Sequence, residues 1–285
     1  MVDYNLHFLM CKPLYYDVIH KNLNIHMQMK TNVNYISANA EWNALKKILE
    51  DLGVYITLLS PEENLVDMVF AANSALIYKN LAIVSTFKAI PRKDESKYIF
   101  KHFFKNNFDI TECKSDFEGA GDALFSHIQN HLWLGHGFRS DIGAFNDVSG
   151  VFYNNNFNSV NIHSLCLINP KWYHLDTCFC PINNDIIMLY EDAFDYNSLL
   201  EIYNVYDINK SIKVSYDDAI NFACNSIVVN NNVNTFIIGH KFSDALKKIF
   251  INNNLKFIEN NMDQFLLSGG SCKCCVLDIT NYHIN

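Results

Sequence analysis

The chain has 285 residues, of which 49% are hydrophobic and 18% charged, with 10 Gly, 5 Pro and a formal net charge of -8. That length and apolar content make disorder not the default and suffice for one large core, so residues 1–285 are expected to form a single domain. The negative balance disfavours nucleic acid, which demands clustered Lys and Arg, and makes a small cationic molecule the more natural partner.

The opening stretch, MVDYNLHFLMCKP, lacks a basic region followed by a long apolar run and a small-residue cleavage site. Secretion is not indicated, and no apolar window reaches the roughly 20 residues of a membrane span. The 9 cysteines then read as reduced thiols in a cytoplasmic setting, not as a disulfide framework.

Along the chain, Trp42, Leu45, Ile48, Leu49 and Leu52 recur at helical spacing over 39–52, with Gly53 as the stop. A buried strand is expected at 54–59 and a hairpin across Lys79-Asn80 from two short apolar runs, 75–78 and 81–86. A polar helix at 94–106 follows. Further on, a strand at 185–190 precedes a helix at 196–203, and 226–229 pairs with 235–239. A helix at 243–251 and strands at 255–259 and 272–277 close the chain. Strands and helices thus alternate in units of roughly fifty to sixty residues, a length at which repeats are considered, although the sequence is not visibly self-similar. The pattern by itself predicts an α/β or α+β chain with a mixed sheet.

Four segments could carry chemistry. FEGAGD (117–122) sets Glu118 and Asp122 around two glycines ahead of an apolar strand, either as an acidic turn or as paired carboxylates at a close backbone approach. WLGHGFRSD (133–141) brings Arg139, whose planar fork suits a substrate carboxylate but could equally pair with Asp141 on the surface. YHLDTCF (173–179) places His174 and Asp176 on one face of an extended segment, as general acid–base chemistry requires, with a hydrogen-bonded core histidine as the alternative. SGGSCKCCVLDI (268–279) leads from a glycine pair into a strand with Cys272 and Cys274 on one face and Cys275 on the other. A thiolate nucleophile, a metal site with Cys178 and Cys180, and buried structural thiols compete there. The C-x-C and CC spacings fit zinc poorly.

Together with HFLMCKPLYYDV, DMVFAANSALI (67–77) and FACNSIVV (222–229), these segments occur in the order found in the guanidino-group-modifying superfamily. The chain resembles that superfamily of arginine deiminases, dimethylarginine dimethylaminohydrolases, amidinotransferases and arginine dihydrolases over nearly its whole length. The resemblance implies a five-bladed, pseudo-symmetric α/β propeller, the pentein fold, with the site in its central channel. It implies Cys274 as nucleophile, His174 as acid and base, and Glu118 as the support of His174. Asp176 matches the carboxylate that holds the guanidinium, and Arg139 a carboxylate-binding arginine. Asp122 is grouped with the substrate-binding residues, as is Asn24, which matches only loosely.

Asn73 is a departure. Deiminases and dimethylarginine hydrolases carry Asp there, whereas Asn is similar to the dihydrolase branch, which hydrolyses a guanidine twice. An amide both donates and accepts, so it can hold a neutral ureido group as well as a cation. The expectation is a guanidine hydrolase needing no cofactor and no metal, with imidazolium at His174 lowering the pKa of the Cys274 thiol. A single-round hydrolase, an amidinotransferase and an inactive arginine-binding module are the competing readings. The oligomeric state stays open, a homo-oligomer included.

Overall fold

The structure, a computed structural model, describes residues 6–20, 23–28, 32–126, 130–231 and 233–280. It begins with β1 (His7–Cys11), which runs parallel to β2 (Tyr55–Leu59) after the crossover helix α1 (Tyr35–Asp51). This helix starts before the apolar repeat does, because the Asn34 side chain accepts from the Ser37 N–H and caps it.

Four units of one plan follow. In each, a short inner strand turns back into an antiparallel middle strand, and a helix carries the chain to an outer strand parallel to the middle one. The first comprises β3 (Ala75–Tyr78), β4 (Leu81–Val84) and β5 (Asp109–Glu112), crossing over through α2 (Glu95–Lys105). The second is β6 (Ala123–Phe125), β7 (His131–His136) and β8 (Asn161–Cys166), with α3 (Gly143–Asn154). The third is β9 (Phe179–Pro181), β10 (Ile187–Leu189) and β11 (Ile212–Lys213), with α4 (Tyr196–Val205). After α5 (Tyr216–Ile220) come β12 (Ile227–Asn230), β13 (Thr235–Gly239) and β14 (Lys256–Glu259), with α6 (Asp244–Asn252).

The last unit is assembled from both ends of the chain. After α7 (Asp263–Leu266), β15 (Leu277–Asp278) pairs antiparallel with β1 and becomes the inner strand of a β15-β1-β2 sheet. Among the described residues this gives five three-stranded sheets, the five blades of an α/β propeller. Leu9, fully buried and opposite Leu277, sits in a core cluster with Leu59, Ala75, Val84 and Phe103, so the closing blade is locked to the first of the repeated ones by apolar packing.

Residues 54–59 form a strand, but Tyr55 is 65% exposed, because β2 is the outer edge of its blade. Residues 272–277 are not one strand: Lys273–Cys275 is a 3-10 turn, so strand alternation does not set the faces of the three cysteines, and all three are buried. Leu175–Thr177 is likewise a 3-10 turn, with His174 as its extended cap, so His174 and Asp176 do not share a strand face. The chain is also self-similar at one place. FAANSALI at 70–77 and FACNSIVV at 222–229 align without a gap, and each runs into an inner strand, β3 and β12.

Leu9→Ala removes methyl groups from the seam that closes the ring. The expected loss is about 2–5 kcal/mol in chemical denaturation; a change below 1 kcal/mol, on the order of an exposed substitution, would mean that the seam does not hold the ends together.

Candidate active site

The inner strands surround one axis, so the turns entering them meet at one end of it. Asn73 lies in the 3-10 turn Ala71–Ser74 before β3, and Glu118 caps Gly119–Gly121 before β6. His174 and Asp176 belong to the turn before β9, and Cys274 to the turn before β15. Positions up to 201 residues apart, from 73 to 274, converge through this repetition alone.

Cys274 is 2% exposed, and its Sγ lies 3.4 Å from Asp176 Oδ2 and 3.1 Å from Asn225 Nδ2. Burial, and after it the Asp176 carboxylate, pushes the thiol well above its usual range. The expectation that His174 lowers this pKa is therefore reversed, because the charged neighbour of the sulfur is an anion. Burial likewise pushes Asp176 up to about 6, against the opposing pull of His174 and Lys273.

His174 Nε2 sits 2.8 Å from Glu118 Oε2, which also accepts from Arg139 Nη1 at 3.0 Å. Burial raises the Glu118 pKa, but Arg139 and His174 outweigh it and hold the carboxyl well below the usual carboxylate range. Glu118 thus stays ionised and fixes one ring nitrogen of His174. Arg139 does not pair with Asp141; it is buried, donates from Nη2 to the Leu23 carbonyl at 3.0 Å and lies 4.7 Å from the Tyr173 ring centroid.

Two expected binding residues are engaged elsewhere. Asp122 accepts from the Ser140 hydroxyl at 2.7 Å and N–H at 3.2 Å, and from the Leu175 N–H at 2.9 Å. Its oxygens therefore tie together the turns that carry Glu118 and His174, and it is absent from the cavity wall. Asn24 reaches that wall, but its amide bonds the Ser268 carbonyl and the N–H groups of His26 and Met27. Its oxygen is thereby engaged twice and its NH2 group once, so it serves as a strut of the wall.

The cavity is lined by Cys274, His174, Asn73, Arg139 and also by Asp67 and Arg92. A larger cavity lies at the other end of the inner strands and is walled mainly by apolar side chains. Asp67 and Arg92 went unrecognised in the sequence, where an acidic residue in an apolar run and a lone arginine after a proline carry no distinctive spacing. Arg92 is held bidentate by Glu95 and donates to Asn73 Oδ1 at 2.7 Å. Among the described residues, Asn73 Nδ2 and Asp67 Oδ1 on this wall, and Glu118 Oε1 and Asp176 Oδ1 on the side chains bonded to His174 and Cys274, are buried without a hydrogen-bond partner. Three are carboxylate acceptors, which favours a ligand rich in N–H donors and positively charged. No group of three or more His, Cys, Asp or Glu side chains among the described residues is arranged to hold a metal ion.

The two glycines of FEGAGD are required by proximity. A Cβ on Gly119, whose φ is +55°, would stand 2.7 Å from the Ala75 nitrogen, and one on Gly121 would stand 2.2 Å from Asn73 Nδ2 and 3.4 Å from the His174 ring. Gly121→Ala is expected to displace Asn73 and lower turnover about 100-fold while the far-UV circular dichroism stays unchanged. Wild-type rates in that variant would remove Asn73 from the site.

The sequence profile of the eukaryotic N,N-dimethylarginine dimethylhydrolase family matches residues 17–281. AgrE of Nostoc, a bifunctional arginine dihydrolase/ornithine cyclodeaminase, is 35% identical over 96% of this chain, which spans 38% of AgrE. An uncharacterised Caenorhabditis elegans protein is 34% identical over 94% of this chain and 92% of its own length. The N-terminal domain of cyanobacterial ArgZ, an arginine dihydrolase solved as a cysteine-to-serine variant with its substrate, superposes with a TM-score of 0.89 at 33% identity, covering 96% of this chain and 98% of that one. With its profile match running through all five blades, the chain belongs to the dimethylarginine dimethylhydrolase family of guanidino-group-modifying enzymes.

Proposed function

We propose that the protein hydrolyses L-arginine in two rounds to ornithine, two molecules of ammonia and carbon dioxide, with Cys274 as nucleophile and His174 as acid and base. The observation that carries this reading is a buried thiol 3.4 Å from the Asp176 carboxylate, with unpartnered carboxylate oxygens on Asp67, Glu118 and Asp176. A guanidinium supplies the missing N–H donors and the missing positive charge, and its carbon is then within reach of the sulfur.

The amino-acid end of the substrate has complementary partners. Arg92 and Arg139 line the cavity and suit a carboxylate, while Asp67 suits an ammonium group. Asp176 holds the guanidinium beside Cys274, and the cation offsets the carboxylate that keeps the thiol protonated. The thiolate then attacks the guanidinium carbon, and the adduct expels ammonia as His174 gives it a proton, leaving a thiouronium. His174 next takes a proton from water, which adds to that carbon and releases Cys274 and citrulline. In the second round the thiolate attacks the ureido carbon and a second ammonia departs. Hydrolysis of the thiocarbamate leaves a carbamate, which loses carbon dioxide to give ornithine.

Asn73 supports the second round. Its Oδ1 is held by Arg92, and its Nδ2 is unpartnered on the cavity wall, where it can donate to a ureido oxygen. A carboxylate at this position would repel that oxygen. The family profile favours a second reading, a single round on a methylated arginine.

Incubation with L-arginine and no added amine, quantifying ammonia, citrulline and ornithine together, tests the assignment. Two ammonia per ornithine is the expected outcome; one ammonia with accumulating citrulline would replace it with the single-round reading. Asn73→Asp is expected to stop at citrulline. Because Asp176 titrates at about 6, kcat/KM should fall as the pH drops through that value and the anion holding the guanidinium is neutralised. A profile flat between about pH 5 and 8 would count against Asp176 as the anchor.

A further inference from the structure

The inner strands are equivalent by the symmetry of the fold, yet the reacting groups assigned above come from the turns before β3, β6, β9 and β15. The turn before β12 carries Asn225, which is fully buried. The alignment of FAANSALI with FACNSIVV sets Asn225 against Asn73, each two residues ahead of its inner strand. Symmetry therefore delivers a second asparagine to the same end of the channel.

The orientation of this amide is determined by its partners. Oδ1 accepts from the main-chain N–H of Ser271 at 3.1 Å and of Cys274 at 3.2 Å, both donors only. Nδ2 is consequently turned toward Cys274 Sγ at 3.1 Å and the Asp176 carbonyl at 3.1 Å. The Asn225 main-chain carbonyl takes the N–H of Lys273 at 3.1 Å. Each of these bonds ends on the cysteine loop or on the turn bearing Asp176. The other side chain at the sulfur is the Asp176 carboxylate, which opposes a negative charge there, and among the described residues no Lys, Arg or His hydrogen-bonds to it.

We infer that Asn225 holds the Cys274 thiolate in place and stabilises it through an N–H···S hydrogen bond, acting as the thiolate's side-chain donor. The inference rests on Cys274 being the nucleophile. A neutral donor suits this site, since a lysine or arginine beside the sulfur would repel the guanidinium that has to approach it.

Asn225→Asp separates this role from a structural one, because it keeps the oxygen that receives the Ser271 and Cys274 N–H groups and changes the atom facing the sulfur. The readout is the rate at which iodoacetamide alkylates Cys274 across pH, followed by mass spectrometry of the peptide containing residue 274. At neutral pH the rate is expected to fall at least about tenfold and its pH dependence to move upward. With arginine, kcat is expected to fall while KM changes little. Asn225→Ser, which adds no charge, serves if the aspartate variant does not fold, and it must move the alkylation rate in the same direction. A wild-type alkylation profile in a folded variant overturns the inference. Alkylation needs no substrate, so a failure of the arginine reading leaves this outcome legible, and normal arginine turnover with unchanged alkylation overturns Asn225 alone.

Discussion

The pairing of β15 with β1 is the constraint on which the rest depends. An open array of four blades would leave β1 and β2 without an inner strand and the Cys274 turn without a place at the axis. Among the described residues two pairs form that ladder, Ile279 and Thr280 bond His7 beside it, and buried side chains such as Leu9 and Leu277 pack across the seam. Closing it links residues roughly as far apart as the chain allows, and the site is complete only when this last contact has formed.

Once closed, the ring concentrates charge in a way that no single blade would tolerate. Glu118, Asp122 and Asp176 are all buried at one end of the channel, with Asp67 alongside. Two different solutions handle this. Glu118 is compensated by Arg139 and His174 and stays ionised, whereas burial outweighs the neighbouring cations at Asp67 and Asp176 and pushes both upward. All three keep one buried oxygen without a hydrogen-bond partner, a pattern in which binding a cation would relieve a cost already built into the fold.

The same contrast divides the asparagines. Asn24 bonds main-chain groups of the wall through both ends of its amide, Asn73 keeps its NH2 group unpartnered on the cavity, and Asn225 directs its NH2 group at the sulfur. Residue type at the rim of a propeller channel is therefore a poor guide to role. The partners already engaged decide it.

Much was legible in the sequence because it is local. Hydrophobic spacing marks α1 and the β3–β4 hairpin, and the ordered motifs place Cys274, His174, Glu118 and Asp176 in one site. The pair FAANSALI and FACNSIVV even carries the symmetry, and with it a pointer to Asn225. Other features are not local. That Asp122 binds Ser140 and Leu175, that Arg139 sits on Glu118, and that the Cys274 thiol is raised follow from which turns meet at the axis and how little water reaches them. The sequence by itself determined most of the individual helices and strands and the inventory of reactive groups, since periodicity and motif act over a few residues. Tertiary structure alone decided which group faces which, because hydrogen-bond partners and desolvation are set by residues brought together from distant blades.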